Sequence, residues 1–217
     1  MRILSVNVGL PAELTHGGRT VLTGIVKEPV GGRVAAGPTG LAGDGQADLT
    51  VHGGEDKAVY AYPLEHYAHW EVALGRDDLS PGRFGENLTV EGVTEDEVGI
   101  GDLLRTGDTL FEVSQPRIPC FKLGMRMGDP GFLKPFLRSG RVGFYLRVIE
   151  PGTVGAGDDL VRERTAEGSM TVREVAALLL DDARPDDLDR GAALGALPLS
   201  WREGFASRAV TLRRRAG

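Results

Sequence analysis

The stretch SQPRIPCFKLG, residues 114–124, holds the single cysteine of the chain, Cys120. A thiolate is the reactive form of cysteine, as nucleophile and as metal ligand, and nearby cations stabilise it. Arg117 and Lys122 flank Cys120 and supply that charge. The start of a helix at Cys120 would add to it. Pro116 and Pro119 restrict the backbone on the approach and would hold the thiol in a defined place. The plain alternative is a buried cysteine that packs as a small apolar residue.

Two further stretches have residues fit for chemistry. GLAGDGQADLTVHGGEDKAVYAYPLEHY, residues 40–67, places His52 before Gly53 and Gly54, with Lys57 close behind. A glycine pair lets the backbone approach a ligand, and exposed amides beside a lysine and a histidine can receive a phosphate. Such a pair is also a common turn, and His52 by itself fits a structural role. PGRFGENLTVEG, residues 81–92, offers Arg83 as an anion contact and Asn87, whose amide has both donors and an acceptor for a polar ring edge. Phe84 reads as core.

The elements that position these residues follow from periodicity and punctuation. The 32 glycines, with proline and aspartate, break the apolar runs into short strands and turns. Strands are expected at Ile3 to Val8, Gly24 to Glu28, Lys57 to Tyr62, Asn87 to Glu91, Thr109 to Gln115 and Gly143 to Ile149. VGIGDLL (98–104) and VGAGDDL (154–160) look alike, and read as one turn chemistry used twice rather than as a repeat. LEHYAHWEVAL (64–74) has helical spacing. Short helices are expected after Cys120 and over Phe132 to Leu137, the latter weakened by Pro135. Beyond residue 166 the pattern changes to three short helices. Thr171 with Glu174 makes a capping box, Pro185 suits a first turn, and Ser200 is read as the cap of the last helix. Arg213 to Arg215 then form a solvated helix end.

Composition sets the outer limits. The chain has 217 residues, 41% hydrophobic, enough for one large domain or one domain with an appendage, and its net charge is −6. An acidic chain is a poor binder of nucleic acid or of membrane surfaces. One cysteine excludes an internal disulfide and a multi-cysteine zinc site, and points to a reducing compartment. MRILSVNVGL has no long apolar run after Arg2, so no signal peptide is expected. No stretch reaches the ~18 apolar residues of a membrane span. The expectation is a cytoplasmic protein.

Taken together, GDGQADLTVHGGEDKAVYAYPLEHY, FGENL and SQPRIPCFKL resemble the MOSC domain, and its YiiM branch in particular. The helical tail resembles the three-helix extension of that branch, so the likeness covers nearly the whole chain. It implies a β-rich α+β fold: a MOSC-type β-barrel with short helices over residues 1–166, followed by a small three-helix subdomain over residues 167–217. It implies a pocket for the molybdenum cofactor, with Cys120 as ligand to molybdenum, which accords with soft thiolate ligation. Arg117, Lys122, Lys57, His52, Gly53, Gly54, Asn87 and Arg83 are then expected in cofactor contact or pocket formation. It further implies reduction of N-hydroxylated compounds such as hydroxylaminopurine, with electrons from an external flavin or iron–sulfur reductase, because no flavin or nicotinamide fingerprint is recognised. Proton donation is open between Glu86, Asp56, His52 and water. A carrier of the cofactor, or a sulfur-transfer protein using a Cys120 persulfide, stands as the alternative. A homodimer is left open.

Overall fold

In the computed structural model of the chain, which describes residues 1–47 and 53–216, short strands dominate the first three-quarters. They are β1 (Arg2–Val8), β2 (Ala12–His16), β3 (Arg19–Thr23), β4 (Glu28–Pro29), β5 (Arg33–Gly37), β6 (Gly40–Leu41) and β7 (Val59–Pro63). Helix α1 (Tyr67–Leu74) follows, then β8 (Leu88–Glu91), β9 (Leu103–Thr106) and β10 (Thr109–Pro116). Helices α2 (Phe121–Met127) and α3 (Leu133–Ser139) lead to β11 (Phe144–Glu150), β12 (Gly152–Gly155) and β13 (Val161–Arg164). The tail is α4 (Val172–Ala177), α5 (Pro185–Ala192) and α6 (Leu199–Ala216).

Eight strands form one curled sheet in the order β13-β9-β10-β11-β7-β8-β1-β4, antiparallel except for the β7–β8 pair. The curl brings its two ends together. The Ile3 amide donates to Asp158 O at 2.9 Å, and the Gly157 amide donates to Ile3 O at 2.7 Å. This is the β-rich, barrel-like α+β architecture expected. Strands β12, β5 and β6 form a smaller sheet, and β2 with β3 form a hairpin.

The two look-alike segments are the same turn. In each, the aspartate carboxylate accepts from the glycine amide three residues earlier: Gly99 N to Asp102 and Gly155 N to Asp158, both at 2.9 Å. Thr171 and Glu174 make the reciprocal capping box. Pro135 is accommodated because it lies in the first turn of α3, where its missing N–H costs nothing. Two expectations fail. Ser200 does not cap α6; the carbonyl of Pro198 already takes the Arg202 amide, so Ser200 sits inside the first turn. Residues 24–27 are not a strand. A Cβ on Gly24 would come within 2.1 Å of Gly45 O, and one on Gly82, itself at φ +86°, within 2.5 Å of Lys27 O. Neighbouring backbones press on this segment from two sides where ladder partners would otherwise stand.

One apolar cluster runs from Ile3, Val98 and Phe111 through Val172, Val175, Leu188 and Phe205, so the helical tail buries its apolar face on the same core as the sheet. Arg208 ties α6 to the end of α4 by donating to Leu178 O and Leu180 O. A second, aromatic cluster of Tyr62, Trp70, Phe84, Phe132 and Phe136 lies behind the loops discussed next. Its tightest pair is Tyr62 on Phe84, with ring centroids 4.3 Å apart.

Candidate active site

Cys120 takes extended backbone angles (φ −114°, ψ 168°) and forms the N-cap of α2. It leaves β10 through Arg117, whose amide donates to Gly143 O. Strand, proline-restricted corner and helix thus fix the thiol at one wall of an open cleft of about 610 Å³. Arg117, Lys57, Lys122 and Asn87, all expected at a site, line this cleft with Cys120. Residues from six separate stretches of the chain, within 23–27, 44–47, 57–60, 85–87, 117–122 and at 145, meet there.

Arg117 is 5% exposed. Its guanidinium donates to Phe84 O at 2.8 Å and lies 4.8 Å above the centre of the Tyr60 ring. Burial opposes its charge, but Tyr60, Tyr145 and Cys120 around it hold its pKa above the ordinary arginine range. Among the described residues no carboxylate pairs with it, whereas the other buried lysine or arginine there, Lys27, is paired with Asp44. Lys57 ends a single 3-10 turn, Glu55–Lys57, opened by Gly54 at φ +86°. Ser114 anchors that turn by donating to Asp56 O at 2.6 Å, and Arg147 by donating to the Asp56 carboxylate at 2.5 Å. Burial draws the Lys57 pKa down, opposed by Asp56.

Several expected site residues have other work. Glu86 is 0% exposed and does not line the cleft. Its carboxylate accepts from the Tyr67 hydroxyl, from Gly82 N at 2.8 Å, from Phe84 N at 3.0 Å and from Thr89 at 3.0 Å. It pins the 81–87 loop, and burial raises its pKa despite those donors. Arg83 lies off the cleft and pairs with Asp78 at 2.7 Å. Asp56 is engaged with Arg147 and is not a cleft residue. Gly54 borders a neighbouring cavity of about 870 Å³ that shares Asp44, Gly45 and Gln46 with the first, while Gly53 lines neither. His52 lies outside the described residues.

Asn87 is on the cleft, but its amide is spent within the protein. Its Oδ1 accepts from Tyr60 N at 3.1 Å, and its Nδ2 donates to Asn7 O at 3.3 Å and to Asp44 Oδ2 at 2.9 Å. Reading a ring edge therefore gives way to holding Asp44.

The sequence reading missed Lys27, Asp44, Tyr60 and Tyr145, all of which line the cleft. Lys27 and Asp44 form a buried ion pair, with side chains 7% and 5% exposed. Asp44 also accepts from Gly9 N at 3.0 Å. The available signal is a lysine closing the apolar run GIV, and a Gly43-Asp44 pair that by residue type reads as a turn.

Among the described residues no three histidine, cysteine or acidic side chains gather to hold a metal. Among the described residues, a metal at Cys120 would need further ligands from the group that carries it. The residues fit such a group: one thiol, a buried arginine with no carboxylate partner among the described residues, and, besides the paired Lys27, Lys57 and Lys122 in a cleft also lined by Tyr60 and Tyr145. No described helix is long and apolar enough to cross a membrane.

The MOSC domain matches residues 48–161, slightly more than half of the chain, and the chain belongs to the MOSC domain family. Within it, the chain stands with YiiM. The crystal structure of YiiM from Geobacillus stearothermophilus superposes with a TM-score of 0.81 at 37% identity, covering 96% of this chain and 98% of that one. YflK of Bacillus subtilis is 42% identical over 204 residues, 94% of this chain and 92% of that protein. A protein of Gibberella moniliformis named "Reductase" is 37% identical over 161 residues, which are 73% of this chain and 28% of its own length.

Proposed function

We propose that the cleft binds the molybdenum cofactor with Cys120 as the protein ligand to molybdenum, and that the protein reduces N-hydroxylated compounds such as hydroxylaminopurine. The observation that carries this reading is Arg117: a buried guanidinium in the Cys120 cleft, with no carboxylate partner among the described residues. A buried cation left without a counter-charge is costly, and a thiolate together with an anionic ligand would supply one. Membership of a domain family named for the molybdenum cofactor sulfurase supports the choice of cofactor, and the name of the Gibberella relative supports the choice of reaction.

In this account Cys120 holds the metal, and Lys57, Lys122 and Arg117 hold the anionic pterin and its phosphate. When bound, the cofactor supplies the two-electron chemistry, and a separate flavin or iron–sulfur reductase restores its electrons. The chain's own contribution is to fix the thiol, place the cations and form the cleft in which the substrate meets the metal. The reaction is tested with protein from a cofactor-producing host, reduced viologen as electron source and an N-hydroxylated purine as substrate. Amine formation by the parent and its loss in Cys120→Ser is the expected result. A stable metal complex with no turnover would make the protein a cofactor carrier. A persulfide on Cys120 without molybdenum would make it a sulfur-transfer protein.

A further inference from the structure

Reduction of an N-hydroxyl compound consumes two electrons and two protons: R–NH–OH + 2e⁻ + 2H⁺ gives R–NH₂ + H₂O. A positioned acid is worth about 10²–10⁴ in rate in such a step. Glu86 and Asp56 are both off the cleft. Of the groups that line it, Arg117 does not give up its proton. The Tyr60 hydroxyl is committed to Val142 O at 2.7 Å. Cys120 is the candidate ligand. Asp44 accepts from Lys27, Gly9 N and Asn87, which is the pattern of an ionised carboxylate. Lys57 and Lys122 are half-buried cations suited to an anionic ligand.

Lys27 is different. It is 6% exposed, yet it lines the cleft. Its ammonium is held by Asp44, and Asp44 is held in turn by the Gly9 amide and Asn87. An acid fixed by a carboxylate that is itself fixed by a third group is the usual build of a catalytic acid or base.

We propose that Lys27 is the proton donor of this cleft and that Asp44 and Asn87 are its positioning residues. The assignment rests on the reductase reading above. The bound cofactor would supply the two electrons that the N–O bond takes up as it breaks. The departing hydroxyl takes one proton from the Lys27 ammonium and leaves as water. The nitrogen takes the second proton from solvent, and the neutral Lys27 amine is recharged from solvent through the open cleft beside Asp44. Burial draws the Lys27 pKa below the ordinary lysine range, opposed by Asp44 and Glu86 and aided by Arg117. Among the described residues, the other charged or titratable groups lining the cleft are Lys57, Lys122, Tyr60, Tyr145 and Cys120. A lower pKa makes Lys27 a stronger acid near neutrality. The acid form must be present, so turnover falls as pH rises through the Lys27 pKa.

The test compares metal-loaded parent, Lys27→Arg, Lys27→Met and Asp44→Asn by molybdenum content per chain and by turnover of an N-hydroxylated purine with reduced viologen across pH. Lys27→Arg keeps the charge beside Asp44 but cannot donate. The expected result is parent-like metal content in both Lys27 variants, turnover lower by about 100-fold or more, and no alkaline limb in what remains. Asp44→Asn removes the charge that favours the ammonium, so its alkaline limb moves to lower pH. Turnover in Lys27→Arg within a few-fold of the parent would overturn the assignment and leave the reductase reading intact. Loss of metal from Lys27→Arg would also overturn it, and would make Lys27 a cofactor contact. A metal-loaded parent without turnover would overturn both. Should Lys27→Met fail to fold, Lys27→Arg and the Asp44→Asn pH profile decide.

Discussion

At the residue scale the site is a balance of charge around one thiol. In the proposed reading Cys120 supplies the ligating atom; Arg117 supplies a positive charge that no described carboxylate neutralises. Arg117→Met keeps the bulk of the side chain but removes the charge and the donation to Phe84 O. The expected cost is about 1.5–3 kcal/mol of stability for a charged hydrogen bond, together with weaker retention of any anionic cofactor. Urea unfolding and cofactor content after gel filtration measure the two effects. Unchanged cofactor retention would show that Arg117 serves the fold alone. The cysteine corner and its cations were legible in sequence because they lie within a few residues of one another. Lys27 and Asp44 were not, because 17 residues separate them and only tertiary packing brings their charges together. Asn87 and Glu86 were legible as polar residues in a suggestive loop, but their partners, Asp44 and Tyr67, are distant in sequence. Polar residues on a functional loop and polar residues that build the loop look the same in one dimension.

At the element scale, glycines and caps decide where the cleft walls stand. Gly24→Ala would drive a Cβ into Gly45 O, and both residues line the cleft. Destabilisation of about 1–3 kcal/mol is expected, with turnover lost beyond what stability explains, because the Thr23–Lys27 wall must move. Thr171→Ala removes one half of a capping box far from the cleft. It should lower stability by about 1 kcal/mol and leave cofactor content at the parent level. Thermal unfolding beside a metal assay separates the two. Strands with plain alternation or long apolar runs, β1, β8, β10 and β11, were readable directly. The strand expected over 24–28 was not there, since apolar content alone cannot report that neighbouring backbones leave no room for a ladder. The start of α6 was misplaced for a similar reason: a serine is a good cap by type, but the Pro198 carbonyl two residues earlier already starts the helix.

At the scale of the whole molecule, the helical tail and the curled sheet share one apolar cluster. Removing residues 168–217 would expose the faces of Val98, Ile100 and Leu104 that this cluster covers. The truncated chain should aggregate or unfold well below the parent transition, as read by calorimetry and light scattering. A truncated chain of parent-like stability would show that the tail serves a partner rather than the core. The change of pattern near residue 166 was visible in sequence as a switch from glycine-punctuated apolar runs to capped helical segments. That the two parts bury their faces on each other was not, because an amphipathic helix declares an apolar face without naming what covers it.

The central claim is that Cys120 binds molybdenum in a cleft made for an anionic cofactor. The most direct measurement is molybdenum per chain, by mass spectrometry, for parent and Cys120→Ser expressed anaerobically in a host that makes the cofactor. The account predicts near-stoichiometric metal in the parent, and its loss in a variant that still folds, since the oxygen is smaller than the sulfur it replaces and needs no added room. Equal metal in both proteins would contradict the assignment of Cys120 as the ligand.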